Sequence, residues 1–136
     1  MAEADIDKIR NVILLSHSGS GKTVLSEALL HHVKAISRMG NVESGNTTSD
    51  YEPEEAKRAS SIQTSLIPCE YNSHKVNFLD TPGYDDFRGE VISALQVVEG
   101  AVILVSATSG VEVGTENSWS LCEGENLPRI ILVNKM

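Results

Sequence analysis

The sequence has few cysteines, few aromatic residues and no long hydrophobic run. Two cysteines among 136 residues are too few for a disulfide framework, and Cys69 and Cys122 lack the spacing of metal ligands. We expect both to be small buried or half-buried apolar side chains in a reducing, cytoplasmic compartment. The first ten residues are acidic and lack the apolar region of a secretory signal. No apolar run is long enough to cross a membrane, so we expect no membrane partner.

Positive charge is also scarce. Eleven lysines and arginines stand against 19 aspartates and glutamates, which gives a formal net charge of -8. A surface of this sign repels nucleic acids and anionic membranes, so we expect no direct DNA binding. The other proportions, 40% hydrophobic and 22% charged residues, are those of a globular chain of one domain at most.

Residues 16–23 read Ser-His-Ser-Gly-Ser-Gly-Lys-Thr, between an apolar run and a segment with helical spacing. A glycine-rich turn between a strand and a helix is typical of a P-loop, whose backbone N–H groups bind phosphate. Lys22 then contacts the β- and γ-phosphates, and the Thr23 hydroxyl is placed to ligate Mg²⁺. The consensus has glycine at position 16, and the alternative is a turn that only caps a helix. We predict nucleotide contacts from six residues, namely Ser18, Gly19, Ser20, Gly21, Lys22 and Thr23.

Two further motifs follow expected buried strands. In Asp80-Thr81-Pro82-Gly83, the carboxylate can hold Mg²⁺ through water and the Gly83 N–H can contact a γ-phosphate. In Asn134-Lys135, the asparagine can bond the edge of a base while the lysine stem packs on its face. Alone, the first of these two motifs is also a plausible turn, and the second is a weak signal because an Asn-Lys pair is common. Together with residues 16–23, in this order on these strands, they favour a nucleoside triphosphate site.

Alternating strands and helices predict an α/β chain with the P-loop NTPase fold, a mostly parallel twisted sheet with helices on both faces. Pro68 removes a backbone donor, which predicts one antiparallel edge strand, joined to the next by a turn at Asn72-Ser73. We expect strands at 9–15, 62–70, 75–80, 101–106 and 128–133, and helices at 24–39, 86–98 and 112–123. Polar residues 41–61 form a long loop, with which a short helix at 54–58 is compatible. Because the sequence stops after a strand, we expect a C-terminally truncated domain.

The set of residues 16–23, 80–83 and 134–136 resembles the nucleotide signatures of translational GTPases, above all elongation factor G and its elongation-factor-G-like paralogues. Residues 57–62 resemble the switch I motif of that family, and residues 84–87 resemble its switch II. The resemblance covers nearly the whole sequence. It implies that residues 1–136 are the N-terminal part of a G domain that binds GTP or GDP with Mg²⁺ and hydrolyses GTP. It also implies the ribosome as a partner of the complete protein.

The same resemblance assigns roles to particular residues. Thr23, Ser61 and Asp80 become the metal-binding residues, and Lys22, Gly83 and Tyr84 become catalytic. Three departures from the family pattern bear on hydrolysis: Ser61 replaces a threonine, Tyr84 replaces the histidine that positions water, and Ser18 and Ser60 replace apolar neighbours of that water.

A phenol is a poor proton acceptor at neutral pH, so a nucleotide-gated binding module with little hydrolysis is an alternative function. A P-loop kinase or ATPase is a third possible function, which the motifs at residues 80–83 and 134–135 disfavour. In the family, an aspartate just beyond Met136 binds guanine. We therefore expect the 136-residue piece alone to bind nucleotides weakly, to discriminate poorly between GTP and ATP, and to self-associate.

Overall fold

A computed structural model describes residues 5–42, 44–49 and 61–136. The strands in this part of the chain are β1 (Ile9–Ser16), β2 (Ser65–Tyr71), β3 (His74–Asp80), β4 (Gly100–Ser106) and β5 (Arg129–Asn134). They form one sheet with the order β2-β3-β1-β4-β5. β1 pairs in parallel with β3 and with β4, and β4 with β5, whereas β2 is antiparallel to β3. The predicted mostly parallel α/β sheet is confirmed.

Three α-helices in the described residues cover both faces of this sheet. They are α1 (Lys22–His32), α2 (Arg88–Leu95) and α3 (Val113–Gly124). On one face Ile13 and Ile103 pack with Val91 of α2 and Cys122 of α3. On the other face Leu14 and Leu104 pack with Leu25 of α1. The second half of β1, from Ile13 to Ser16, is buried on both faces, which explains why its apolar residues do not alternate with polar ones.

The β2–β3 hairpin has the predicted turn and the predicted place in the sheet. Asn72 and Ser73 both have positive φ, at 47° and 61°, as a tight two-residue hairpin turn requires. Pro68 lies in β2, which is an edge strand, so its missing N–H disrupts no interior pairing. Cys69 and Cys122 are buried free thiols, also as predicted.

The first helix ends at His32, well before the predicted end at Met39. Lys34 adopts the left-handed conformation with φ of 60°. The Ala35 N–H then donates to the Leu30 carbonyl at 2.9 Å, and the Lys34 N–H to the His31 carbonyl at 3.0 Å. This pattern is a Schellman termination. The prediction was wrong because such an ending usually carries glycine, and here lysine takes that position.

The other two helices begin later than predicted. Residues Asp85–Phe87 form a 3₁₀ turn, so α2 starts at Arg88 and ends at Leu95. Helix α3 starts after Glu112, whose N–H donates to the Thr115 hydroxyl at 3.3 Å. No helix in the described ranges is both long and apolar enough to span a membrane.

Parallel pairing brings the carboxyl ends of four strands to one edge of the sheet. In the register, Leu14 is level with Asp80, Ser16 with Leu104, and Ser106 with Asn134. The three sequence motifs follow β1, β3 and β5, so the fold collects them along this edge. Such an edge is where open α/β sheets bind their ligands.

Candidate functional site

A cleft of about 280 Å³ opens along this edge of the sheet. Nine of the predicted site residues line it, and they are Ser18, Gly19, Gly21, Lys22, Thr23, Ser61, Gly83, Tyr84 and Lys135. Val24, Val42 and Thr81 also line the cleft. Asp80 and Ser20 lie behind the lining and are almost fully buried. The structure therefore brings together residues that are more than 110 positions apart in sequence, because Asn134 contacts Ser20 across 114 positions.

Lys22 lies at the floor of the cleft and is only 8% exposed. Its ammonium donates to the Ser16 hydroxyl at 2.7 Å. Burial lowers the pKa of Lys22, and the negative charge of Asp80 opposes that shift. The backbone of Gly83 passes so close that a Cβ there would lie 2.7 Å from the Lys22 Nζ. A side chain at position 83 would crowd the ammonium, and its Cβ would also lie 3.0 Å from the Ser18 Cα.

The P-loop, residues 16–23, is braced by the end of β5. Asn134 donates its side-chain Nδ2 to the Ser20 carbonyl at 3.0 Å. Lys135 donates its Nζ to the Gly19 carbonyl at 2.7 Å. At Gly21, φ is 96° and a Cβ would lie 2.6 Å from the Asn134 Nδ2, so a side chain has no room. The sequence predicted base contacts for Asn134 and Lys135, and the structure adds a bracing contact for each.

Hydroxyl groups also organise the turn itself. The His17 carbonyl accepts the Ser20 hydroxyl at 2.9 Å and the Ser16 hydroxyl at 2.7 Å. The His17 ring contacts helix α3, because its Nδ1 accepts the Gly114 N–H at 3.3 Å. These contacts fix the path of the backbone through the loop. The loop is therefore held from β1, β5 and α3 together.

The three predicted metal-binding residues all offer oxygen atoms as ligands. The Thr23 and Ser61 hydroxyl oxygens lie 3.5 Å apart. Asp80 is buried behind them, and its Oδ2 accepts the Ser26 hydroxyl at 2.9 Å. Hydroxyl and carboxylate oxygens are hard donors, which fit Mg²⁺. No cluster of three or more His, Cys, Asp or Glu residues occurs in the ranges described, so the chain offers no soft-metal site there.

The segment that follows β3 is fixed at one end and exposed at the other. Thr81 is completely buried, and its hydroxyl donates to the Leu14 carbonyl of β1 at 2.7 Å. Tyr84 is 49% exposed at the mouth of the cleft. Ser60, the suggested short helix at 54–58 and most of the motif at 57–62 lie outside the described residues.

Sequence reasoning missed two polar residues of α1 that support the site. Ser26 binds Asp80, as described above. Glu27 is 1% exposed, and its carboxylate accepts the backbone N–H groups of Gly40 and Thr48, the latter at 2.6 Å. Ser65 adds a further contact, because its hydroxyl donates to the Ser49 carbonyl at 2.6 Å. No local signal singles out Ser26 and Glu27, because α1 also carries Lys22, Thr23, His31 and His32 among its eleven residues.

Comparison with known proteins identifies the family. The family described as elongation factor Tu GTP binding domain matches residues 7–136. The chain is 43% identical over 129 residues to the mitochondrial ribosome-releasing factor 2 of Candida dubliniensis, covering 95% of this chain and 16% of that protein. It is 38% identical over 135 residues to elongation factor G of Gluconobacter oxydans, covering 99% of this chain and 19% of that protein. The chain thus spans less than a fifth of the length of these relatives.

Two solved structures are similar in fold to this chain. A crystal structure of a Thermus thermophilus protein superimposes with a TM-score of 0.90 at 46% identity, covering 93% of this chain and 19% of that one. Translation elongation factor SelB of Methanococcus maripaludis, solved with the GTP analogue GPPNHP, gives a TM-score of 0.70 at 21% identity, covering 93% of this chain and 22% of its own. At that identity the second likeness supports the fold alone.

Proposed function

The chain belongs to the family of elongation factor Tu GTP binding domains, and on that premise we propose that it binds guanine nucleotides and hydrolyses GTP. The observation that carries this proposal is the floor of the cleft, where the buried Lys22 ammonium lies between the P-loop and Gly83. A P-loop lysine in that position contacts the β- and γ-phosphates. We further propose that residues 1–136 form the N-terminal part of a G domain within a longer, elongation factor G-like protein.

The phosphate-binding role falls on the P-loop backbone and on Lys22. Gly19, Ser20 and Gly21 offer N–H groups at the start of α1, where the helix dipole also favours an anion. Ser18 lines the same cleft. The Thr23 and Ser61 hydroxyls and Asp80, the last through water, are the residues that would hold Mg²⁺. When bound, Mg²⁺ neutralises part of the charge on the β- and γ-phosphates.

For hydrolysis, water attacks the γ-phosphorus, and the bond between that phosphorus and the β–γ bridging oxygen breaks. GDP is the leaving group, and the protons of the water pass to the inorganic phosphate and to solvent. Lys22 stabilises the charge that develops on the phosphate oxygens, and the Gly83 N–H donates to a γ-phosphate oxygen. Tyr84, at the mouth of the cleft, is the residue nearest in sequence to Gly83 that can orient the water by a hydrogen bond. We assign to Asn134 a hydrogen bond with the edge of the guanine base, and to the Lys135 stem a packing contact with the face of the base.

One observation favours a second candidate function, a nucleotide-gated binding module with little hydrolysis. Tyr84 is half exposed and carries a phenol, which orients water but accepts its proton poorly at neutral pH. Such a protein would use the presence of GTP to control a partner. In both functions the proposed partners are a guanine nucleotide and the ribosome, the latter through the complete protein.

Single-turnover hydrolysis of GTP by the complete protein, with and without ribosomes, tests the proposal. We expect measurable hydrolysis that ribosomes accelerate and that chelation of Mg²⁺ abolishes. Tight GTP binding without hydrolysis in either condition would favour the gated module. A preference for ATP over GTP would instead support a kinase or ATPase and contradict the proposal.

The cytoplasm remains our proposed compartment. The relatives are named as translation factors, and one of those names includes the word mitochondrial. Fractionation of cells that express the complete protein distinguishes the two compartments. Recovery with cytoplasmic ribosomes supports the proposal, and recovery with an organelle contradicts it.

A further inference from the structure

Ser16 occupies the position where the P-loop consensus has glycine. It is the last residue of β1 and is only 5% exposed. Its hydroxyl takes part in two hydrogen bonds, accepting from the Lys22 Nζ at 2.7 Å and donating to the His17 carbonyl at 2.7 Å. A glycine at position 16 has neither bond. The chain therefore contains a side-chain contact to the P-loop lysine that the consensus sequence lacks.

The two bonds fix the direction of each group. A hydroxyl has one hydrogen, and here that hydrogen points to the His17 carbonyl. The lone pairs of the oxygen are then left to face the Lys22 ammonium. The ammonium has three N–H donors, of which Ser16 takes one. Two of the three donors therefore remain for other acceptors.

The surroundings of Lys22 and Ser16 restrict the movement of the ammonium. Both Lys22 and Ser16 are buried, so solvent competes little for the bond. The Gly83 backbone also lies close to the ammonium, since a Cβ there would lie 2.7 Å from Nζ. A long lysine side chain otherwise samples many rotamers, and each one lost on binding costs free energy. The Ser16 contact removes part of that freedom before any phosphate binds.

We propose that Ser16 is a positioning residue for phosphate binding, whose hydroxyl holds the Lys22 ammonium in the orientation that meets the β- and γ-phosphates. The inference rests on the proposed nucleotide site and adds a residue to it. It also assigns a function to the one departure from the P-loop consensus. Loss of the Ser16 hydroxyl should therefore lower the affinity only for ligands whose phosphates contact Lys22.

Titration of the complete protein with fluorescent GDP, and competition by GTP and GMP, tests this role. The Ser16→Ala variant should bind GDP and GTP about tenfold more weakly, because a hydrogen bond to a charged group is lost. GMP lacks the phosphates that Lys22 contacts, so its affinity should be unchanged. Ser16→Thr keeps the hydroxyl and should restore wild-type affinity. Ser118→Ala is the matched control, since Ser118 is equally buried and donates only to the Gly114 carbonyl in helix α3.

A double-mutant cycle distinguishes a positioning role of Ser16 from a purely structural one. In a Lys22→Met background, Ser16→Ala should cause no further loss of GDP affinity, because Ser16 acts through Lys22. Unchanged or tighter GDP binding by a folded Ser16→Ala protein would overturn the inference. So would an equal loss for GMP, or additive losses in the cycle. A wild-type protein that binds no guanine nucleotide would instead overturn the proposed function and the inference with it.

Discussion

The two sides of the candidate nucleotide site are built in different ways. The P-loop side, residues 16–23, is held at its turn by the side chains of Ser16, Asn134 and Lys135. The backbone N–H of Gly114 in α3 adds a bond to the His17 ring. The opposite side, here called the loop side, comprises residues 40–42, 44–49 and 61. Its backbone is bonded to one carboxylate, Glu27, at two points and to Ser65 at a third.

This difference indicates that the two sides contribute to nucleotide binding in different ways. A turn that several elements brace presents its N–H groups in a fixed arrangement, so it can supply phosphate affinity without reorganisation. Where the described backbone of a segment is tied to the fold through side chains such as Glu27 and Ser65, loss of one of these bonds can change the order of that segment. Damage to the P-loop side should therefore reduce nucleotide affinity. Damage to the loop side should change the order of that segment and leave the affinity for GDP nearly intact.

The largest expected effect comes from Lys22→Ala on the P-loop side. We expect GDP and GTP affinity to fall by about a hundredfold, because charge-assisted bonds to phosphate are lost. The fold should survive, since the substitution also removes a buried charge. Isothermal titration gives the affinity and circular dichroism the folded state. Wild-type affinity in a folded Lys22→Ala protein would show that Ser16–Thr23 is not a P-loop.

On the loop side, Glu27→Gln should lower the free energy of unfolding by about 2 kcal/mol, because the amide offers one acceptor where the carboxylate offers two. Hydrogen exchange at Gly40 and Thr48 should accelerate while GDP affinity stays close to wild type. Glu116→Gln, on the exposed side of α3, is the control and should change neither. A loss of GDP affinity as large as that of Lys22→Ala would remove the distinction between the two sides.

A smaller effect is expected from the brace between β5 and the P-loop. Asn134→Ala removes the bond to the Ser20 carbonyl and should weaken GDP binding by about 1 kcal/mol through that bond alone. A base contact by the same side chain would add to the loss for GDP and spare free pyrophosphate. Pyrophosphate competition separates the two contributions. Unchanged binding of both ligands would show that the brace is dispensable.

The smallest effect is expected at the mouth of the cleft. Tyr84→His restores the residue usual in the resembled family, and an imidazole orients water well. Ribosome-stimulated hydrolysis should be raised or unchanged in the complete protein, while GDP affinity stays constant. Multiple-turnover phosphate release measures the rate. Loss of hydrolysis as severe as in Lys22→Ala would show that the phenol has a specific role.

The P-loop side could be predicted from sequence because its signals are local. A strand, two glycines, a lysine and a hydroxyl lie within one short stretch, and the strand ends at Asp80 and Asn134 follow from the same hydrophobic pattern. The hairpin turn and the edge position of Pro68 were predictable for the same reason.

The loop side could not be predicted, because its contacts join distant residues. Nothing near Glu27 in sequence indicates that its carboxylate binds the backbone at Gly40 and Thr48. The early end of α1 was missed because left-handed Lys34 gives no glycine signal. The brace from Asn134 and Lys135 to the P-loop likewise depends on the packing of β5 beside β4, which only the folded chain establishes.

Competitive titration of the complete protein by GTP, GDP and ATP in the presence of Mg²⁺ is the most direct test of a guanine nucleotide site at this edge of the sheet. We expect GDP and GTP to displace fluorescent GDP, and ATP to do so at least about tenfold more weakly, because its base lacks the groups that bond to a guanine pocket. Equal displacement by ATP, or no displacement by any of the three from a folded protein, would contradict the assignment of this cleft to guanine nucleotides.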